Sequence, residues 1–158
     1  MNRLMNGQKF PALELPKVGG GLLKLPEALA GSFGVVLVYR GDWCPFCNKQ
    51  LAAFERAAAS FEQIGIKTAA LSADTGPIAA GTVEKHKIRF PVGHSADIAA
   101  VSKLLGTYTN DQPPALQTSG FVLAPDGSVV VAVYSSSAIG RLVPEDVAGL
   151  VSYIKSKA

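Results

Sequence analysis

The sequence predicts an α/β fold: a central mixed sheet flanked by helices, parallel in its first part and closed by an antiparallel hairpin and a C-terminal helix. Three observations carry this expectation. Val35-Val36-Leu37-Val38-Tyr39 is a short apolar run rich in β-branched residues, as expected of a strand buried on both faces. A helical pattern after Pro45 is followed by a second strand candidate, Ile66 to Ser72. Near the C-terminus, Pro125-Asp126-Gly127 separates the apolar runs Gly120 to Ala124 and Ser128 to Tyr134, a strong hairpin signal.

Taken in order, Phe10 to Val18 reads as an irregular or short-strand opening, and Gly19-Gly20-Gly21 as a turn into a segment that ends at Gly31-Ser32-Phe33-Gly34. The central strand, Val35 to Tyr39, follows. From Pro45, Leu51, Phe54, Ala58 and Phe61 recur at three- and four-residue spacing, which predicts one helix stopping near Gly65. After the strand at 66–72, Asp74-Thr75-Gly76-Pro77 supplies the turn and cap of another helix running towards His86.

Phe90-Pro91-Val92 is a short strand candidate. Ser95 or Asp97 can cap a helix with Ile98, Val101, Leu104 and Leu105 on one side and Gly106 past its end. Pro113-Pro114 marks Thr107 to Gln117 as loop. In the last helix Pro144 suits the first position, Glu145 and Asp146 complement the positive end of the dipole, and Lys155 and Lys157 the negative end. Val147, Leu150, Val151 and Ile154 form its apolar stripe.

The chain has 158 residues, 48% of them apolar, enough for one core and too few to favour two, so residues 1–158 are expected to form one domain. Fifteen basic and twelve acidic residues are scattered without a basic run, which argues against nucleic acid as a partner. No apolar stretch between Met1 and Phe10 resembles a signal core, and no run approaches the roughly 18 residues of a membrane helix. We therefore read the protein as cytoplasmic, without membrane contact. Two cysteines cannot make the disulfide framework of a secreted mini-domain; at CxxC spacing in a reducing compartment they point to redox or metal chemistry.

Cys44 and Cys47 lie where the strand read at Val35 to Tyr39 gives way to a helix, the usual position of a site in an open α/β sheet. With Pro45 as the first helical residue, Cys44 becomes the N-cap, and its sulfur faces unpaired backbone N–H groups. Cysteines in such settings have pKa values of about 3.5 to 7.5 instead of about 8.5. Arg40 and Lys49 would add to this effect and Asp42 oppose it. Residues three apart at a helix start have Cβ atoms about 5 to 6 Å apart, so a small adjustment brings the sulfurs to disulfide distance. One thiol can attack and the other resolve. Buried structural cysteines are one competing reading; a zinc site completed by His86 and His94 is another, although their spacing exceeds the usual H-x₃₋₅-H. Trp43 and Phe46 would pack, or shape a docking surface beside an exposed thiol.

The stretch Tyr39-Arg40-Gly41-Asp42-Trp43-Cys44-Pro45-Phe46-Cys47-Asn48 resembles the active-site segment of the alkyl hydroperoxide reductase and thiol-specific antioxidant proteins, a peroxiredoxin-like group of the thioredoxin superfamily. The resemblance extends to Phe10-Pro11-Ala12-Leu13-Glu14-Leu15, the alternating middle and Gly120 to Gly127. It implies a thioredoxin-like fold with an N-terminal extension, and an antioxidant oxidoreductase reducing hydroperoxides through a Cys44/Cys47 pair, with no cofactor. A thioredoxin-like or low-molecular-weight thiol would serve as reductant, and a homodimer is implied. The family motif Pro-x-x-x-Thr-x-x-Cys places the peroxide-reactive cysteine at Cys47, with Arg40 in place of the proline and Cys44 in place of the threonine. The family arginine falls on Thr118, leaving Arg141 as the candidate for the missing guanidinium. Read as a thioredoxin or glutaredoxin acting on disulfides, the chain instead places the attacking sulfur at Cys44. Cys44 and Cys47, supported by Arg40, Trp43, Pro45 and Arg141, are the expected site in both readings; a non-catalytic thioredoxin-like binding module is the third.

Overall fold

A computed structural model describes residues 3–158; Met1 and Asn2, in the stretch read as lacking a signal core, lie outside the described residues. β1 (Leu13–Pro16) and β2 (Leu22–Leu25) form an antiparallel hairpin around the glycine turn. A 3-10 turn, Glu27–Leu29, leads to β3 (Phe33–Val38), which starts and ends slightly earlier than the apolar run suggested. Next come α1 (Pro45–Arg56), α2 (Ala58–Ile64) and β4 (Ile66–Leu71), then α3 (Gly76–His86), β5 (Val92–Gly93) and α4 (Ile98–Leu105). β6 (Thr109–Asp111) and β7 (Pro114–Leu116) pair before the hairpin of β8 (Ser119–Leu123) and β9 (Val129–Tyr134), and α5 (Pro144–Ser156) closes the chain.

The main sheet has strand order β5-β4-β3-β8-β9. β4 runs parallel to both β3 and β5, while β8 runs antiparallel to both β3 and β9, giving the mixed sheet expected. Alternate side chains of β3 enter opposite layers, as the twofold period of a strand requires. Val35 and Leu37 pack with Leu51, Phe54, Phe61, Val147 and Val151 of α1, α2 and α5. Val36 and Val38 face Leu71, Val101, Leu105 and Phe121, with Phe10, Leu15 and Leu23 from the N-terminal segment. The two cysteines belong to the first layer. No helix among the described residues is long and apolar enough to cross a membrane.

Three local expectations need correction. The helix expected from Pro45 to Gly65 is two helices, broken at Ala57 (φ −82°, ψ −5°). This turn lets Phe54 and Phe61 meet edge to face, with ring centroids 5.8 Å apart; the Ala57-Ala58-Ala59 run contains no residue that announces it. Gly65, in the left-handed region at φ 91°, ends the second helix as predicted. The loop expected from Thr107 to Gln117 contains the β6–β7 hairpin, whose three-residue strands are too short to show alternation. Leu104, placed on the inner side of its helix, is exposed, whereas Val101 and Leu105 are buried.

Candidate active site

The end of β3 and the first turn of α1 bring the two cysteines together. Pro45 occupies the first turn without sacrificing a hydrogen bond, and Cys44 is the N-cap with extended backbone (φ −93°, ψ 107°). Its Sγ accepts the N–H of Cys47 at 3.2 Å, the role a serine or aspartate oxygen plays at other caps. Both cysteines are free thiols.

Neither thiol is exposed, contrary to the sequence expectation: Cys44 and Cys47 both have 0% accessible surface. Trp43 and Phe46, 42% and 49% exposed, flank them in the chain. At Gly41 any Cβ would fall on the Trp43 indole nitrogen, so only glycine lets the indole fold back over this loop. The Arg40 guanidinium stacks 4.8 Å from the Trp43 ring centroid. Its Nε is buried without a partner, and its side chain helps to hold Cys44 below the ordinary thiol range.

Cys47 is surrounded differently. Its Sγ accepts the backbone N–H of Arg40 at 3.4 Å and Nη2 of Arg141 at 3.3 Å. Arg141 lies between β9 and α5, and its guanidinium is fixed on several sides. Nη2 also donates to Thr118 Oγ1 at 2.8 Å and to the Ala138 carbonyl at 2.5 Å, Nε donates to the same carbonyl at 2.9 Å, and Nη1 donates to Gln50 Oε1 at 2.5 Å. Gln50, buried one turn beyond Cys47 on α1, uses its amide nitrogen to hold the Leu142 carbonyl at 2.9 Å. Thr118 is the position where the family arginine falls by sequence; here a threonine accepts from a guanidinium that arrives from elsewhere in the chain.

These contacts separate the two thiols electrostatically. Burial opposes ionisation of Cys44, but hydrogen bonds from the Cys47 thiol and N–H and from Arg40, with the charge of Arg141, outweigh it and place Cys44 below the ordinary thiol range. Burial pushes Cys47 up, and the hydrogen bond it makes to Cys44 pushes it further; Arg40 N–H and Arg141 pull the other way without reversing the shift. Cys44 is therefore the thiol that ionises first as pH rises, and Cys47 the one that holds its proton longer. Tyr39, at the end of β3 in the same layer, is pushed up to about 12 by burial and remains a neutral phenol.

Of the sequence-predicted residues, the fold gathers Cys44, Pro45, Cys47, Arg40, Trp43 and Arg141 at one place. Lys49 is exposed and makes no hydrogen bond to either sulfur, and Asp42 instead donates its backbone N–H to Asp74 Oδ2 at 3.0 Å. Burial raises the Asp74 carboxyl above its ordinary range. His94 Nδ1 pairs with Ser95 Oγ at 2.7 Å, and among the described residues no three His, Cys, Asp or Glu side chains gather to hold a metal. The reading of the sequence missed Gln50. Its signal was its place three residues after Cys47, on the same helical face.

The model of the AhpC/TSA family matches residues 6–132. A peroxiredoxin of Methanothermobacter marburgensis is 27% identical over 145 residues, spanning 88% of this chain and 67% of the relative. The thiol-disulfide oxidoreductase ResA of Bacillus cereus is 27% identical over 153 residues, 96% of this chain and 80% of the relative. Among solved structures, peroxiredoxin 6 of Arenicola marina shares the fold at a TM-score of 0.83 and 21% identity, covering 96% of this chain and 74% of that one. With the family match spanning most of its length, and a cysteine pair at the point where β3 meets α1, the chain belongs to the AhpC/TSA family.

Proposed function

We propose that the chain reduces hydroperoxides, with Cys47 as the attacking sulfur and Cys44 first as its base and then as the resolving thiol. The observation that carries this reading is the Arg141 guanidinium held 3.3 Å from Cys47 Sγ and fixed by Thr118 and Gln50. A fixed cation beside the reacting sulfur stabilises charge that develops as the O–O bond breaks, without reorganising during the step.

The chemistry follows from the separated pKa values. The Cys44 thiolate takes the Cys47 proton through the hydrogen bond between them. Cys47 sulfur attacks the oxygen that bears hydrogen; the S–O bond forms, the O–O bond breaks, and the alkoxide takes the proton now on Cys44. The products are a Cys47 sulfenic acid, an alcohol and a Cys44 thiolate. That thiolate attacks Cys47 sulfur, the S–S bond forms, and hydroxide leaves to become water. A thioredoxin-like or low-molecular-weight dithiol then supplies two electrons and two protons and restores the pair. Because neither sulfur has accessible surface, the segment around the cysteines must open for substrate to enter.

Stopped-flow reaction of the reduced protein with hydrogen peroxide and, separately, with an aromatic disulfide tests the reading. A fast peroxide reaction abolished by Cys47→Ser, and slowed without being abolished by Cys44→Ser, is expected. The competing reading, disulfide exchange led by Cys44, is favoured by the downward shift of that thiol's pKa at the helix start. It predicts a fast disulfide reaction lost in Cys44→Ser and no peroxide reaction above that of a free thiol.

A further inference from the structure

Among the described residues, Tyr39 is the bulkiest side chain that is completely buried. It follows β3 directly, and Val35, Leu37 and Tyr39 alternate along the chain into the layer that holds both cysteines. The backbone here is tied on two sides. Tyr39 N–H donates to the Leu71 carbonyl at 3.0 Å, and the N–H of the next residue, Arg40, donates to Cys47 Sγ at 3.4 Å. The ring is thereby fixed between the sheet and the start of α1, in the layer of the reacting sulfur.

The Tyr39 hydroxyl is buried and, among the described residues, makes no hydrogen bond. Its polar neighbours are Ser72, Asp74, Cys47 and Asp42. Two of them are engaged with each other and with the backbone: Ser72 Oγ accepts the Asp74 N–H at 3.2 Å, and Asp74 Oδ2 accepts the Asp42 N–H at 3.0 Å. Burial, and after it the carboxylates of Asp74 and Asp42, hold the phenol proton in place. A tyrosine hydroxyl is nearly always paired when buried, so a neutral donor left free beside a reacting atom points to a partner that arrives during turnover.

The peroxidase cycle brings such a partner into this layer. After the first step Cys47 Sγ carries an oxygen, and when Cys44 attacks, that oxygen departs with negative charge. The donors already at Cys47, Arg40 N–H and Arg141 Nη2, are bound to the sulfur. We infer that Tyr39 is a catalytic residue of the resolving step, its hydroxyl donating a hydrogen bond to the sulfenic acid oxygen on Cys47 and to the hydroxide that leaves. This assignment rests on the peroxidase reading. The Cys44 sulfur supplies the electron pair of the new S–S bond, the S–O pair departs with the oxygen, the hydroxide takes up a proton from solvent, and Tyr39 keeps its own. In the first step the leaving oxygen is one atom further from the sulfur, so the phenol acts mainly on the second.

Rapid quenching of the reduced protein after one equivalent of hydrogen peroxide, followed by intact-mass analysis, resolves the two steps. Loss of the dithiol reads oxidation, and conversion of sulfenic acid to disulfide reads resolution. In Tyr39→Phe the ratio of the resolution rate to the oxidation rate is expected to fall by about 10²-fold, the usual cost of removing one donor from a developing oxyanion. The sulfenic acid then persists, and excess peroxide should carry it to sulfinic acid in fewer turnovers than in the wild type. Thermal unfolding of the reduced protein separates this effect from damage to the fold. Because the hydroxyl has no partner in the dithiol state, Tyr39→Phe is expected to unfold at the wild-type temperature or above it. An unchanged ratio overturns the assignment. So do both steps slowed by the same factor with a lowered unfolding temperature, the signature of a structural tyrosine. Failure of the wild type to form a disulfide with hydrogen peroxide overturns the peroxidase reading, and this assignment with it.

Discussion

Arg141 Nη2 lies 3.3 Å from Cys47 Sγ, although 94 residues separate them in the chain. The contact exists because the strand order places β8 beside β3, so that Thr118, just before β8, and Cys47, just beyond β3, come together at one end of the sheet. The segment after β9 then lays Arg141 across both, and Gln50 fastens it from α1. The guanidinium beside Cys47 thus comes from position 141, and position 118 holds the threonine that accepts from it.

Replacing Arg141 by glutamine should therefore reduce the second-order rate with hydrogen peroxide by roughly 10²-fold, the usual cost of losing one fixed donor at a developing negative charge. Arg141→Lys should recover only part of the rate, because a lysine cannot hold Thr118, Gln50 and the sulfur at once. Stopped-flow rates alongside circular dichroism at equal temperature check that the fold is retained.

Gly120 links the fold to the site. A Cβ there would stand 2.7 Å from Leu142 Cδ1 and 2.9 Å from its Cγ, and Leu142 is the neighbour of Arg141. Gly120→Ala should destabilise the protein by about 1 to 3 kcal/mol through overpacking. Because the displaced leucine carries the carbonyl held by Gln50, the peroxide rate should also fall under conditions where the variant remains fully folded. Urea unfolding midpoints and rates measured at low urea separate the two effects.

The two thiols should give opposite signatures with pH. Cys44 has a folded pKa below the ordinary value of 9.0, so its contribution to stability is fully present above 9.0 and is lost as pH falls through the folded pKa. Cys47 has a folded pKa above 9.0, so its contribution is present below 9.0 and is lost as pH rises through the folded pKa. Thiolate absorbance of the reduced protein should rise in two steps, one on either side of 9.0, and Cys44→Ser should remove the lower step. The stability difference between the wild-type dithiol and Cys44→Ser, from urea midpoints, should be larger at pH 9 than at pH 6.

Much of this architecture was legible in the sequence because it depends on local signals. The run from Val35, the proline after Cys44 and the Asp126-Gly127 turn each specify their element through a short-range rule, and the fold places all three as expected. The cysteine pair was legible for the same reason, since cap and spacing are both local. The break at Ala57 was not, because it serves a contact between Phe54 and Phe61 that exists only once both helices lie on the sheet. Gln50 and Thr118 escaped notice as partners of Arg141 because their roles arise from long-range packing, which no periodicity encodes. The full burial of both sulfurs belongs to the same class: it follows from the layer formed by α1, α2 and α5 over β3.

Under the proposed mechanism oxygen is transferred first to Cys47. The most direct measurement treats reduced Cys44→Ser with one equivalent of hydrogen peroxide in the presence of dimedone, followed by peptide mass mapping. A single dimedone adduct on the peptide containing Cys47 is expected, with rapid formation of an intramolecular Cys44–Cys47 disulfide and no adduct in the wild type. An unmodified Cys47 in Cys44→Ser, with an adduct on Cys44 in Cys47→Ser, would contradict it.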